Sequence, residues 1–151
     1  MSKMDNLHPD IKDEVIRLVN KVNTEILTSN VKMLVTQGLR TFDEQDALYN
    51  QKPKVTNAKG GQSMHNYGLA FDFCLFQGGK LIWDVAKDFD GDKVSDWLEI
   101  VKLFKDNGYT WGGNFRSISD KPHFEKTFGH TWQQLLAIKK AGKTLNGFVI
   151  L

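Results

Sequence analysis

Two short segments carry side chains that could hold a metal ion together. The first, residues 63–73, reads Ser-Met-His-Asn-Tyr-Gly-Leu-Ala-Phe-Asp-Phe and contains His65 and Asp72. The second, residues 120–125, reads Asp-Lys-Pro-His-Phe-Glu and contains His123. Imidazole and carboxylate groups are zinc ligands, and three of them leave a fourth position for water. These residue types therefore have the pattern of a catalytic zinc site rather than a structural one.

Such a site would perform hydrolysis if a base stood beside it. Zinc polarises a carbonyl and makes water a usable nucleophile, and a carboxylate must then move the proton of that water to the leaving amine. Asp120, three residues before His123, is the first candidate for this base, and Glu125 is the second. Each residue taken singly also has an ordinary interpretation, as a surface histidine or as a carboxylate satisfied by backbone donors. From these residues alone, a metal site and a set of ordinary polar side chains are both possible interpretations.

A strand is expected to position Asp72. Side chains alternate between the two faces of a strand, which puts one set of residues toward a core and another on the floor of a cleft. The core set is Leu69, Phe71, Phe73 and Leu75, and the cleft set is Gly68, Ala70, Asp72 and Cys74. Asn66 and Gly68 favour a turn that carries His65 just before this strand. Pro122 favours an extended chain, so His123 and Glu125 should share one face of a second strand.

The rest of the chain predicts an α+β fold, with a small antiparallel sheet that carries the metal site and helices packed against its other face. Helices are expected at residues 9–27, 43–51 and 97–104 and after Thr131, and further strands at 31–37, 81–83 and 109–111. The strand at 31–37 ends just before Arg40. His8 is expected at the surface, and the apolar tail, residues 144–151, is expected to pack on the body of the protein.

The acidic segment at residues 88–92, Asp-Phe-Asp-Gly-Asp, has the composition of a calcium-binding loop. With Gly91 at the sixth position of an EF-hand loop, the first position is Ala86 and the twelfth is Trp97, and neither side chain is a calcium ligand. This register predicts a polar turn, with weak calcium binding as the alternative.

The order of the motifs resembles a known family. Ser63-x-His65-x-x-Gly68-x-Ala70-x-Asp72 followed by Asp120-x-x-His123 is similar to the signature of the D-alanyl-D-alanine carboxypeptidase-like zinc peptidases. Within these, the sequence most resembles the L-alanyl-D-glutamate endopeptidases of phage endolysins and bacterial cell-wall hydrolases. The resemblance runs from about residue 30 to residue 126 and includes Gln37-Gly38-Leu39-Arg40-Thr41, Glu44-Gln45, Leu48-Tyr49, Trp111-Gly112-Gly113 and His123-Phe124-Glu125.

This resemblance implies a role for each matching residue. His65, Asp72 and His123 would hold one zinc ion, Asp120 would be the acid and base, and Arg40 would stabilise the oxyanion or bind a substrate carboxylate. The residues expected to contact substrate are Ser63, Gln45, Trp111 and Gly112. The implied reaction is cleavage of peptidoglycan stem peptides between L-alanine and D-glutamate.

Two other functions share much of this pattern. A D-alanyl-D-alanine carboxypeptidase or dipeptidase uses the same zinc chemistry, although the dipeptidases typically have Glu at the position of Asp120. A non-catalytic peptidoglycan-binding module would keep the fold without the reaction.

Composition sets the remaining expectations. The 151 residues suit one domain, residues 1–151, without a separate wall-binding domain. A net charge of +2 with scattered basic residues does not indicate nucleic acid as a partner. The N-terminus lacks the pattern of a signal peptide, and no apolar run is long enough to insert in a membrane. We therefore expect a monomer that is made in the cytoplasm and acts at the bacterial cell wall, as a phage or prophage lysin does. Cys74 is the single cysteine, so no intramolecular disulfide can form.

Overall fold

The computed structural model describes residues 3–28, 30–116 and 119–151, in which four α-helices pack with a five-stranded antiparallel sheet. The helices are α1 (Pro9–Lys21), α2 (Phe42–Tyr49), α3 (Asp96–Asp106) and α4 (Trp132–Lys140). The strands of the sheet are β1 (Lys32–Gln37), β2 (Ala70–Gln77), β3 (Lys80–Ile82), β4 (Thr110–Trp111) and β5 (His123–Glu125). A two-stranded hairpin, β6 (Thr144–Leu145) and β7 (Phe148–Val149), follows α4. The predicted α+β fold is confirmed.

Strand β2 is the centre of the sheet. β1 pairs with one edge of β2, and β5 and β3 pair with its other edge. β4 continues the sheet beyond β5. The registers place Asp72 between Gln37 of β1 and His123 of β5. Two of the predicted metal ligands therefore lie directly opposite each other on neighbouring strands.

An aromatic core fixes α3 against the sheet. Phe73 lies 4.5 Å from Trp97 and Phe104 lies 4.9 Å from Phe124, measured between ring centroids. All four side chains are fully buried. Truncation of one such phenylalanine to alanine costs about 3–5 kcal/mol, so this cluster contributes much of the stability that holds α3 in place.

The predicted alternation of β2 holds on its core face, while the opposite face differs from expectation. Phe71 and Phe73 are fully buried, but so are Ala70 and Cys74 on the other face. Within the predicted cleft set, Asp72 alone keeps an opening to solvent, with 21% of its side chain exposed. The cleft is therefore confined to the part of the strand around Asp72.

Helix α1 begins at Pro9, since proline suits the first helical position, and it continues as a π-helical turn, Val22–Ile26. Its buried stripe consists of Ile11, Val15, Leu18 and Val19. The expectation that His8 lies at the surface was wrong, because its side chain is buried, with 3% exposed. Its Nδ1 accepts a hydrogen bond from the backbone N–H of Asp10 (3.0 Å), so its Nε2 carries the proton and donates to the carbonyl of Val149 (2.8 Å). His8 thus caps α1 and ties the C-terminal hairpin to it.

Among the described residues, no helix combines the length and the apolar character that crossing a membrane requires.

Candidate metal centre

A short 3₁₀ turn, Met64–Tyr67, presents His65. The hydroxyl of Ser63 accepts a hydrogen bond from the backbone N–H of His65 (3.2 Å), and the side-chain oxygen of Asn66 accepts one from the backbone N–H of Ser63 (3.1 Å). Gly68 ends the turn with a φ of 70°, a left-handed conformation that glycine adopts without steric cost. These local bonds fix the direction of the His65 side chain.

The protonation of the His65 ring follows from its partner. Nδ1 lies 2.8 Å from the carbonyl oxygen of Gly38. A carbonyl only accepts, so Nδ1 must carry the proton of the neutral ring, which leaves the lone pair on Nε2. Nε2 lies 3.3 Å from Oδ1 of Asp72. His65 therefore turns a metal-binding atom toward the carboxylate.

The ring of His123 is arranged in the same way. Its Nε2 donates to Oε1 of Glu125 (2.7 Å), and its Nδ1 lies 3.3 Å from Oδ1 of Asp72. A carboxylate on the outer nitrogen of a ligating histidine fixes the tautomer and orientation of the ring. Glu125, the second candidate for the base, thus lies on the side of His123 that faces away from Asp72.

The three side chains fit a metal ion. The ligand atoms of His65, Asp72 and His123 lie within 4.8 Å of one another. Oδ1 of Asp72 is buried and has no hydrogen-bond partner. Three lone-pair atoms that face one another need a positive charge between them, either a proton or a cation. Two imidazoles and one carboxylate are the donor set of a zinc site with an open coordination position.

The pKa values of Asp72 and His123 also indicate that the centre favours a positive charge. Burial alone would raise the pKa of Asp72, but the imidazoles of His123 and His65 outweigh it and hold that pKa below its ordinary value. Burial would lower the pKa of His123, but the carboxylates of Asp72 and Glu125 raise it to about 9. A metal ion that binds here must displace a proton from His123.

Asp120 lies at the mouth of this centre. Its Oδ2 is 3.8 Å from Nδ1 of His123, and its side chain is about half exposed, at 48%. Partial burial and the charge of Asp72 raise the pKa of Asp120, against the opposing effect of His123. A carboxylate with a raised pKa, close to the ligands and open to solvent, is suited to proton transfer.

Arg40 is a partly buried cation that borders the ligands. Its backbone N–H donates to the carbonyl of His65 (3.0 Å). Its guanidinium donates from Nη1 to Gln45 (2.8 Å) and from Nη2 to Gln37 (3.1 Å), and Nε is buried without a partner. Burial lowers the pKa of Arg40 from its ordinary value, although Asp72 and other carboxylates act in the opposite direction. The two glutamines fix the guanidinium beside the ligands.

Two adjoining cavities, of about 620 and 320 Å³, form a cleft over the centre. The larger cavity reaches Phe115, and the smaller reaches Arg40. Ser63, Asp120 and His123 border both. The smaller cavity thus lies over the three ligands, and the larger one continues from Ser63, Asp120 and His123 toward Phe115.

Comparison with known proteins places this site in a family. A family model described as D-alanyl-D-alanine carboxypeptidase, of peptidase family M15, matches residues 56–126, which contain His65, Asp72, Asp120 and His123. The peptidoglycan L-alanyl-D-glutamate endopeptidase CwlK of Bacillus subtilis is 40% identical over 126 residues, which cover 80% of this chain and 73% of CwlK. The chain belongs to peptidase family M15.

Two further proteins are similar to this chain. The L-alanyl-D-glutamate peptidase of Listeria phage A118 is 26% identical over 98 residues, which cover 65% of this chain and 31% of the phage protein. The crystal structure of the L-Ala D-Glu endopeptidase ChiX of Serratia marcescens superposes with a TM-score of 0.59 at 23% identity. That match covers 83% of this chain and 84% of ChiX, and it shows that the fold is shared.

The structure places Gln45, a predicted substrate contact, away from the cleft. Gln45 is fully buried. Its amide nitrogen donates to the carbonyl of Ala58 (2.9 Å), and its amide oxygen accepts from Arg40. Both ends of the side chain are thus bonded within the chain. Gln45 positions Arg40 rather than contacting a substrate directly.

Trp111 and Gly112, two further predicted contacts, lie behind the segment that carries Asp120. The indole N–H of Trp111 donates to the carbonyl of Lys121 (2.7 Å), and that of Trp97 donates to the same carbonyl (3.1 Å). A Cβ at Gly112 would overlap the backbone carbonyl of Asp120. Neither residue borders the two cavities, and both support the position of Asp120 from behind.

Two residues of the site were not singled out from the sequence. Gln37 accepts a hydrogen bond from Arg40, and the ring of Phe115 lies 5.6 Å from that of His123. Gln37 lies within a motif that was recognised, so its position carried a signal. Asn66, which was expected to favour the turn of His65, bonds the backbone N–H of Ser63 in that turn. No signal in the sequence pointed to Phe115.

Proposed function

We propose that this M15 peptidase is a zinc-dependent hydrolase of peptidoglycan that cleaves stem peptides between L-alanine and D-glutamate. The observation that carries the proposal is the convergence of Nε2 of His65, Oδ1 of Asp72 and Nδ1 of His123 on one point. The names of CwlK and of the phage A118 peptidase support the choice of bond.

In this proposal each residue acts from the position described above. His65, Asp72 and His123 would hold a zinc ion, which would supply Lewis acidity toward the scissile carbonyl and lower the pKa of water in the cleft. Asp120 accepts the proton of the attacking water and delivers it to the leaving amine, for which a raised pKa is favourable. Arg40, with its buried Nε, stabilises the negative charge that develops on the carbonyl oxygen. Glu125 acts through His123, whose ring it orients.

The shape of the cleft favours an endopeptidase over a carboxypeptidase. An endopeptidase must accommodate the chain on both sides of the scissile bond, and the two cavities meet at Ser63, Asp120 and His123. The description of the family model makes D-alanyl-D-alanine carboxypeptidase the second candidate. The products separate the two activities, because a carboxypeptidase releases D-alanine whereas the endopeptidase exposes new amino groups on D-glutamate.

Digestion of purified peptidoglycan by the zinc-loaded protein, with mass analysis of the fragments, tests this function. We expect fragments that begin with D-glutamate. Asp120→Ala should retain zinc and lose hydrolysis, whereas the control Asp13→Ala, which removes an exposed carboxylate on α1, should behave as the parent. Release of D-alanine alone would identify a carboxypeptidase, and zinc binding without any cleavage would identify a binding module. Hydrolysis by Asp120→Ala would remove Asp120 from the role of base.

The proposal also includes the site of action. The substrate places the enzyme at the bacterial cell wall, with peptidoglycan as its partner. A monomeric state remains a prediction, which sedimentation of the purified protein would test.

A further inference from the structure

The loop of residues 88–99, which runs from the connection after β3 into the first turn of α3, has the ligand spacing of a calcium-binding loop in a register other than the one that begins at Ala86. With Asp88 in the first position, carboxylates occupy positions one, three, five, nine and twelve. These residues are Asp88, Asp90, Asp92, Asp96 and Glu99. Val94 takes position seven, where an EF-hand loop supplies a backbone carbonyl. All six ligand positions of the EF-hand pattern are thus filled by groups that suit it.

The backbone of this loop also follows that pattern. The sixth position of an EF-hand loop makes a sharp turn that normally requires glycine. Lys93 occupies it here and adopts a φ of 70°. The backbone N–H groups of Lys93 and Gly91 donate to Oδ2 and Oδ1 of Asp88 (2.8 and 3.0 Å). The sharp turn therefore forms even though the residue is not glycine.

A separate observation points to a ligand in this loop. Asp96 is fully buried, and its Oδ2 has no hydrogen-bond partner. Oε1 of Glu99 is also buried without a partner. A buried carboxylate oxygen without a donor is costly, and a cation removes that cost. Both oxygens belong to residues whose ligand atoms lie within 4.8 Å of those of Asp90.

The carboxylates lie close enough to share one ion. Ligand atoms of Asp88, Asp90 and Asp96 lie within 4.8 Å of one another, as do those of Asp90, Asp92 and Glu99. Asp90 belongs to both groups and therefore links them. Donors that are all oxygen favour a hard cation over zinc. A loop with this many carboxylates suits calcium, because magnesium demands near-octahedral geometry and retains several waters.

We propose that the loop of residues 88–99 binds one Ca²⁺ ion, a second metal site that is separate from the His65–Asp72–His123 centre. The ligands are the carboxylates of Asp88, Asp90, Asp92 and Glu99 and the carbonyl of Val94, with Asp96 bound directly or through water.

The contacts of α3 indicate what this ion does. Helix α3 begins at Asp96, inside the loop, and the next residue is Trp97. The ring of Trp97 packs on Phe73 at 4.5 Å, and its indole N–H donates to the carbonyl of Lys121 (3.1 Å). Lys121 follows Asp120 directly. The calcium ion therefore fixes the start of the helix whose tryptophan supports the segment of Asp120.

Titration of the full-length, zinc-loaded protein with CaCl2, followed by calorimetry and by thermal unfolding, tests the site. We expect one ion per chain with a Kd of about 10⁻⁴ M, a value in the range of extracellular calcium modules. At about 10 mM calcium the Tm should rise by about 5–10 °C. MgCl2 should bind at least about tenfold more weakly. Zinc loading keeps the added cations out of the other centre.

Two variants distinguish a ligand from a structural residue. Glu99→Gln and Asp96→Asn should each weaken calcium binding at least about tenfold, since each removes a charged ligand. Without calcium, both variants should be at least as stable as the parent, because each relieves repulsion among the carboxylates. Asp106→Asn is the matched control, since it removes an exposed carboxylate at the other end of α3, and it should keep the parental affinity.

Several results would overturn the proposal. One is the absence of both binding heat and a Tm shift at about 10 mM CaCl2, a concentration roughly 100 times the expected Kd. The others are equal affinity for magnesium and parental calcium affinity in Glu99→Gln. None of these readouts uses peptidase activity. The calcium site therefore stands or fails independently of the proposed function.

Discussion

The hydrogen bond from His123 to Glu125 offers a fine test of the geometry of the metal centre. At 2.7 Å it is short, and it joins two side chains that are only 8% and 18% exposed. Glu125→Ala would leave Nε2 of His123 without its acceptor, so that the ring is free to rotate or to change tautomer. Loss of such a partner typically costs about 10- to 100-fold in metal affinity. This corresponds to about 1.4–2.8 kcal/mol of binding free energy.

Zinc affinity, measured by competition with a chromophoric chelator, gives the direct readout. Hydrolysis of peptidoglycan at saturating zinc gives the second. Glu125→Gln keeps an oxygen that can accept from Nε2 and removes only the charge, so we expect a loss of less than about tenfold. Glu25→Gln changes an exposed residue beyond α1 and serves as the control.

Two outcomes would contradict this reasoning. Parental zinc affinity in Glu125→Ala would show that the hydrogen bond does not set the orientation of His123. Parental zinc affinity combined with complete loss of hydrolysis would make Glu125 the base and exclude Asp120 from that role.

Three further predictions concern support and stability. Gly112→Ala should push the segment of Asp120 out of place and lower hydrolysis at saturating zinc by about 10- to 100-fold; parental activity would contradict this. His8→Ala removes the cap of α1 and the bond to Val149, so urea denaturation should show a loss of about 1–3 kcal/mol, and an unchanged midpoint would exclude this role. Glu99 has an ordinary pKa of 4.5 and a folded-state pKa of about 8, so the folded chain binds more protons and calcium-free stability should fall between these pH values. Because Glu99 is partly exposed, the effect should be on the order of 1 kcal/mol, and a stability difference from Glu99→Gln that stays constant with pH would refute it.

The parts of the site that follow from local sequence were predictable. The alternation of residues 69–75 fixed the face of Asp72, because strand geometry leaves only two directions for a side chain. The turn residues around His65 and the proline before His123 are local signals of the same kind. The resemblance of the motifs then brought these residues together, and the structure has their ligand atoms within 4.8 Å.

The partners of polar side chains were not predictable, because they depend on contacts between distant segments. Gln45 and Ser63 lie in motifs of similar polarity, yet Gln45 is buried behind Arg40 and Ser63 lines the cleft. The buried side chain of His8 forms a hydrogen bond with the carbonyl of Val149, which is 141 positions away in the sequence. No local pattern reports a contact at that separation.

The register of the acidic segment that begins at Asp88 was not considered in the sequence for a different reason. Its composition was visible, but the register was set by assuming that the glycine must occupy the sixth position. Gly91 and Lys93 both have positive φ values, of 77° and 70°. Lysine carries no sequence signal for that conformation, so the positive φ of Lys93, which supports a register beginning at Asp88, is visible only in the structure.

The central claim is that His65, Asp72 and His123 bind one ion together. Equilibrium dialysis against zinc followed by metal analysis tests it directly. The parent protein and Asp120→Ala should each hold one zinc ion per chain, and Asp72→Ala should hold none under the same conditions. Zinc retained at the parental level by Asp72→Ala would contradict the claim.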